Sequence, residues 1–303
     1  MKMKITILLL IFFVNLSFGS ALNYLNYLRN KSGMHSLQYS KALSLAAQKH
    51  AKYLYFNKEY SHNENSYKKY FFATYPWQRV TKAGFATKAV VENISFYEKS
   101  YKASIDRIFA TVYHRLAFLD TKIDTIGYAN YKRVYVYDMS NSKLANLCRK
   151  SKSYSSNYVE NICKNGNKLD VNSFKKAINS TKRANSKTII YPFNNQKINR
   201  VSLEDEQPRF IYSSKRYGYP VTVTFNDYYY KSVKLLDFSL YKNNRKVKAK
   251  VVSFRNDKAG KLNKNQFVLL PLQRLQRKST YQVKLKALLN GKVKTLNWRF
   301  FTN

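Results

Sequence analysis

The feature that most constrains this chain is a change of hydrophobic period near residue 190. Ahead of it, apolar residues recur every three to four positions, the spacing of one helix face. Leu22, Leu25 and Leu28 mark a first helix that Gly33 can stop, and Ser40 can cap a second with Ala42, Leu45, Ala46, His50, Tyr53 and Leu54 on one face. Ile105, Ile108, Phe109 and Val112 predict a third helix over 99–116, and 125–130 and 133–138 read as paired strands. Beyond 190 the period falls to two, over 221–225, 236–240 and 247–251. Asn243-Asn244 and Asn290-Gly291 supply hairpin turns, the second with the stronger turn chemistry. The pattern predicts an α+β protein: a layered helix-and-sheet domain over 20–142, a Ser/Asn/Lys-rich linker over 143–190 with a short helix around 171–178, and an all-β sandwich over 191–303.

The first 19 residues read as a signal peptide. Lys2 and Lys4 precede an apolar run from Ile5 to Val14, too short to cross a bilayer, and Ser17 and Gly19 fit the positions before a cleavage point. The expectation is therefore an exported protein, periplasmic, surface-bound or secreted. In an oxidising compartment the two cysteines, Cys148 and Cys163, are expected to form a disulfide. Closing that loop stabilises a chain by roughly 3 kcal/mol on the chain-entropy model.

Charge is the loudest global property. The chain carries 55 Lys+Arg against 16 Asp+Glu, formally +39, and the excess is uneven. Residues 21–142 hold 18 basic and 8 acidic side chains, whereas 143–303 hold 35 and 8. A field of this strength draws polyanions. For an exported protein the expected partners are anionic cell-envelope polymers or lipid headgroups. No nucleic-acid recognition motif accompanies the basicity, so no specific nucleic acid is expected.

Four histidines can be weighed singly. His35 follows the first helix break and is expected to face solvent; His50 lies on the apolar face of the second helix and reads as structural. His62 sits in the polar string Ser61-His62-Asn63-Glu64-Asn65, and His114 ends the third helix beside Arg115. Four ordered segments connect them: Leu25-Asn-Tyr-Leu-Arg29 with Gly33, Ala46-Ala-Gln-Lys-His-Ala51 leading to Ser61-His62, Val91-Glu-Asn-Ile94, and Tyr113-His-Arg-Leu116 followed by Ile126-Gly127-Tyr128. Their order and spacing resemble the bacterial branch of the CAP (SCP-like) superfamily, which includes cysteine-rich secretory and pathogenesis-related proteins. Strands 281–285 and 298–302 resemble the closing strands of bacterial Ig-like modules.

The resemblance implies an α-β-α sandwich with a cleft where His62, Glu92 and His114 converge. Many members place a further glutamate before the second histidine; here Thr111 stands near that place, and Glu64 is the loop acid available to substitute. Some members bind lipids, which makes a small lipid a permissible ligand. Two neutral imidazoles, His62 and His114, are ligands of the type zinc favours, but two are fewer than the three usual in catalytic zinc sites. A nearby carboxylate can orient an imidazole or act as a base on bound water. No G-x-S-x-G or H-E-x-x-H motif is present. The expected function is non-enzymatic binding at the cell envelope; the alternative is a metal-dependent hydrolase of peptide or envelope polymer.

Overall fold

A computed structural model describes residues 21–150, 156–211 and 216–303. The signal-peptide reading at 1–19 lies outside the described residues. No helix among those described is long and apolar enough to cross a membrane.

Helix α1 (21–32) buries Leu25 and Leu28, and Gly33, at φ +97°, ends it in the left-handed region open to glycine. After β1 (Gln38–Tyr39), the Ser40 hydroxyl accepts from Leu43 N and caps α2 (Lys41–Asn57). The predicted apolar face holds except at Leu45, which is exposed, while Leu43, Ala47 and Ala51 turn inward. Then follow α3 (Pro76–Lys82), β2 (Val90–Phe96), α4 (Tyr101–Phe109), α5 (Tyr113–Phe118), β3 (Thr125–Tyr131) and β4 (Val134–Ser140).

The four strands pair in the order β1-β3-β4-β2. Alternation along β4 divides the layers. Val134 and Val136 pack with Ala47, Ala51 and Leu54 of α2, whereas Tyr135, Tyr137 and Met139 join α1, α4 and α5 on the other face. Helices thus cover both faces of one sheet.

The single helix expected over 99–116 is two helices, broken between Phe109 and Tyr113. At the break the backbone amides of Val112, Tyr113 and His114 donate to the carboxylate of Glu206 rather than to carbonyls one turn back. An acid more than ninety positions away therefore sets the helix boundary.

The stretch expected as a linker contains α6 (Ser142–Lys150), the short pair β5 (Tyr158–Val159) and β6 (Leu169–Asp170), and α7 (Val171–Arg183). Cys148 and Cys163 are joined there, as expected, and pack with Leu144 and Leu169. Thr87 bridges to Cys163, and Ser186 N donates to Gly33 O, so this stretch is clamped to the first domain. Its abundant Lys and Asn lie on the outer faces of short amphipathic helices, which weakened the apolar signal.

The remaining strands are β7 (Thr188–Tyr191), β8 (Gln196–Ile198), β9 (Val221–Phe225), β10 (Val233–Lys242), β11 (Arg245–Lys246), β12 (Ala249–Ser253), β13 (Gln266–Pro271), β14 (Ser279–Leu289) and β15 (Lys292–Thr302). They form a sheet ordered β12-β13-β9-β7 and another ordered β11-β10-β14-β15-β8. Only β8 pairs parallel to its neighbour; Asn243-Asn244 and Asn290-Gly291 all have positive φ, as hairpin turns require. One apolar cluster contains Val223 and Leu269 from the first sheet, Val283 and Phe300 from the second, and Phe109, Phe118 and Tyr137 from the helical domain. The two halves share a core.

Close approach of α2 to the first sheet depends on Gly127. A Cβ at that position would lie 2.0 Å from Ser44 N and 2.2 Å from Leu43 C, both backbone atoms that cannot swing away. Gly127→Ala is expected to destabilise by about 3 kcal/mol, the upper range of overpacking costs, read as a lowered urea midpoint. An unchanged midpoint would refute the contact.

Candidate functional site

The site is built outward from a buried guanidinium. Arg79, on α3, has no solvent-exposed side-chain area. One terminal nitrogen donates to Glu92 Oε2 and to the carbonyl of His62, both at 2.8 Å. The other donates to the carbonyls of Thr74 and Ala73, at 3.1 and 3.3 Å. Arg79 thereby fixes both ends of the loop between α2 and α3, and with it the position of His62.

Glu64 and His50 complete the support. His50 is buried, with Nδ1 2.8 Å from Glu64 Oε1 and Nε2 3.1 Å from the Ser61 carbonyl. The other Glu64 oxygen accepts from Phe72 N at 2.7 Å. Glu64 is therefore a buried tie across the loop and not a cleft acid: both its oxygens are spent on internal donors, and its side chain is fully enclosed. His35 also departs from expectation, being half-buried with Nδ1 2.8 Å from Asn185 Oδ1.

Glu92, on β2, is buried with its oxygens divided between Arg79 and His62, whose Nδ1 lies 2.8 Å from Oε1. Burial alone would raise the Glu92 carboxyl, but His50, Arg79 and the His62 hydrogen bond outweigh it and hold the group well below the usual carboxylate range. The next residue, Asn93, donates to the His114 carbonyl at 2.9 Å and positions the second histidine.

His114 has its own acid, from an unexpected source. Its Nδ1 lies 3.1 Å from Glu206 Oε2, while the Glu206 oxygens also accept from Val112 N and Tyr113 N at 2.8 and 2.9 Å. Thr111, near the place where the resemblance puts a further glutamate, instead turns its hydroxyl to the Ile108 carbonyl at 2.7 Å. The sequence carried one clue. Glu204-Asp205-Glu206 gathers three of the eight acids in the strongly basic residues 143–303. The neighbouring Glu204 pairs with Arg200 at 2.9 Å and with Arg107 of α4 at 3.5 Å.

The structure thus brings His62, Glu92 and His114 together, with imidazole ring centres 6.2 Å apart, and adds Glu206, Arg79 and Asn93. A cavity of about 1080 Å³ opens beside them, walled by the helical domain on one side and by the β-sandwich on the other. A smaller cavity of about 370 Å³, with Tyr60, Phe96 and Ile108 in its wall, meets the same two histidines. Each imidazole holds a carboxylate at Nδ1, which fixes its orientation and leaves Nε2 as the atom without a protein partner among the described residues. A divalent metal would find two imidazole nitrogens here and no third side-chain ligand among the described residues. No group of three or more His, Cys, Asp or Glu able to hold a metal occurs among the described residues. That donor set falls short of a catalytic zinc centre.

Residues 22–137 match the model of the CAP family, described as the cysteine-rich secretory protein family. No curated protein matches the chain as a relative. Among solved structures, an extracellular SCP-domain protein from Bacillus anthracis strain Ames is 16% identical, with a TM-score of 0.37, over 40% of this chain and 39% of its own. An outer surface protein from Borrelia burgdorferi is 18% identical, with a TM-score of 0.34, over 41% of this chain and 89% of its own.

Behind Glu92 lies a second acid that sequence reading missed. Asp138 is paired in register with Glu92 across β2 and β4, is fully buried, and meets no donor group at either oxygen among the described residues. Burial, reinforced by the Glu92 charge, raises its carboxyl well above the usual range. The two acids act in opposite directions. Glu92 is depressed, so its contribution is lost only as pH falls below about 4. Asp138 is raised, so it costs stability progressively as pH climbs above the ordinary carboxylate value of about 4. Asp138→Asn removes that cost. The variant is expected to melt above wild type at pH 7, with the gap closing toward pH 4; a gap independent of pH would contradict this account.

Proposed function

We propose, on the premise that residues 22–137 are a CAP domain, that this chain is an exported, non-enzymatic binding protein of the cell envelope. In this reading the His62–His114 cleft receives a small ligand or an exchangeable divalent ion such as zinc, and the basic C-terminal half holds the protein on anionic polymer or lipid headgroups. The basic start and apolar run of residues 1–19 support export. The observation that carries the binding reading is the state of the cleft acids. Glu92 and Glu206 are each locked to an imidazole and to a guanidinium or backbone amides, so neither is available as a base on a bound water.

The C-terminal region is taken as an Ig-like module. Its support is strand order: β7, β9, β13 and β12 lie side by side in one sheet, as A, B, E and D do in Ig domains, and β10, β14 and β15 lie in the other, as C, F and G do. The parallel pairing of β8 with β15 extends the second sheet.

Calorimetric titration with Zn²⁺ should show binding no tighter than micromolar, lost in both His62→Ala and His114→Ala, as a two-ligand site requires. No heat and no shift in melting temperature would remove the metal from the reading. Zn²⁺-dependent peptide cleavage lost in both variants would replace it with a hydrolase. Retention on isolated envelopes should fall steeply as salt rises from 0.05 to about 0.5 M, because screening shortens the reach of surface charge. Retention unchanged across that series would reject electrostatic anchoring.

A further inference from the structure

The charge excess of the C-terminal half is not spread evenly around the cavity beside the histidines. Six cations stand in its wall: Lys122, Lys182, Lys231, Arg255, Lys261 and Lys264. Three acids line it too, and all have cationic partners: Glu92 with Arg79, Asp120 with Lys122 at 3.6 Å, and Asp227 with Lys182 at 2.6 Å. Lys231, Arg255, Lys261 and Lys264 are left without a carboxylate partner among the described residues. All four belong to the β-sandwich, are exposed, and line the same cavity as His62 and His114.

This wall is organised. Asp257 accepts from the amides of Lys261 and Leu262, at 2.7 and 2.8 Å, and its other oxygen takes the hydroxyl of Tyr113, the neighbour of His114. The Gln266 side chain accepts from Asn263 N at 2.9 Å, and Phe225 N donates to Asn265 O at 2.9 Å. The loop between β12 and β13 is therefore fastened to the histidine helix at one end and to the sheet at the other. Preorganised donors bind at lower entropic cost than free lysines.

We propose that this interdomain groove is the seat of a linear polyanion, a flexible polymer with repeated phosphate-type charge, laid along the Lys231–Arg255–Lys261–Lys264 wall past His62 and His114. The inference rests on the anionic-polymer reading above and deepens it by locating the contact and choosing between polymer and bilayer. The choice follows from shape. The unpaired cations line a concavity, which a single chain can enter and a planar headgroup surface cannot. The uncharged edges of Tyr230 and Phe254 in the same wall leave room for the backbone between charges.

Soluble polyphosphate is the probe, with phosphatidylglycerol vesicles as the second arm. The triple variant Arg255→Glu, Lys261→Glu, Lys264→Glu should weaken polyphosphate binding about tenfold more than Lys284→Glu, Lys286→Glu, Lys292→Glu, which makes the same charge change on exposed positions outside the groove. On the wild-type chain, bound polyphosphate should shield Lys261 and Lys264 from acetylation and leave Lys284 and Lys286 reactive, a readout that needs no variant to fold. Equal weakening by the two triples, or shielding without preference, overturns the groove and leaves the polyanion reading standing. Vesicle binding as sensitive to the groove triple as polyphosphate binding overturns the choice of a chain over a bilayer. Absence of any wild-type binding to polyphosphate and vesicles overturns both readings together.

Discussion

A guanidinium without access to water is the constraint around which this protein is arranged. Burying the Arg79 guanidinium is tolerable only if partners replace its hydration shell. They come from three places: a sheet carboxylate, Glu92, and the carbonyls at the two ends of the 62–74 loop. Removing one member of such a set costs roughly 3–5 kcal/mol because the remaining charge stays buried. The loop is therefore as fixed as the sheet, although it contains no regular element. His62 inherits that rigidity through Glu92, so its imidazole has little freedom left to lose.

The second histidine is held by the other half of the molecule. Glu206 ends the break between α4 and α5, sets the first amides of α5, and takes the His114 ring. Close by, Arg115 is buried between the halves, donating to the carbonyls of Phe109 and Pro220 and lying 4.9 Å from the rings of Tyr191 and Tyr219. Tyr219 returns a hydrogen bond to Phe109 O at 2.9 Å. With a common apolar core beneath these contacts, the two domains meet through buried polar and apolar groups alike. The cleft is a property of the pair. Separating them would strip His114 of its acid and the cavity of its basic wall.

What could be read in advance followed from periodicity and local chemistry. Strands β3, β4 and β9, the Ser40 cap, the Gly33 stop and the Asn290-Gly291 turn all depend on residues adjacent in sequence. The convergence of His62, Glu92 and His114 is implied by the resemblance of four ordered motifs and not by periodicity. What escaped depends on distant partners. Arg79 looked like one basic residue among many, since burial of a charge leaves no periodic trace. Glu64 reads in the sequence as a loop acid available to the cleft, because its donors, His50 and Phe72 N, are brought to it only by folding. Glu206 belongs to the stretch whose period-two pattern reads as a separate sandwich, and only the unusual acidic triplet around it points to a role inside the other half.

The placement of charge also separates attraction from recognition. At the floor, Glu92 is balanced by Arg79, and Glu206 by the opening amides of α5, so the histidines stand in a nearly compensated field. At the rim, cations from the sandwich are uncompensated and exposed to water. Exposed charge acts over roughly 8 Å at physiological ionic strength, enough to gather anions but with little discrimination among them. On the binding reading proposed above, discrimination comes from the floor, where two oriented imidazoles and a shaped cavity act at contact distance. Salt should therefore govern how much ligand is gathered, and the histidine geometry which ligand stays. A cleft divided this way can be strongly basic without being indiscriminate.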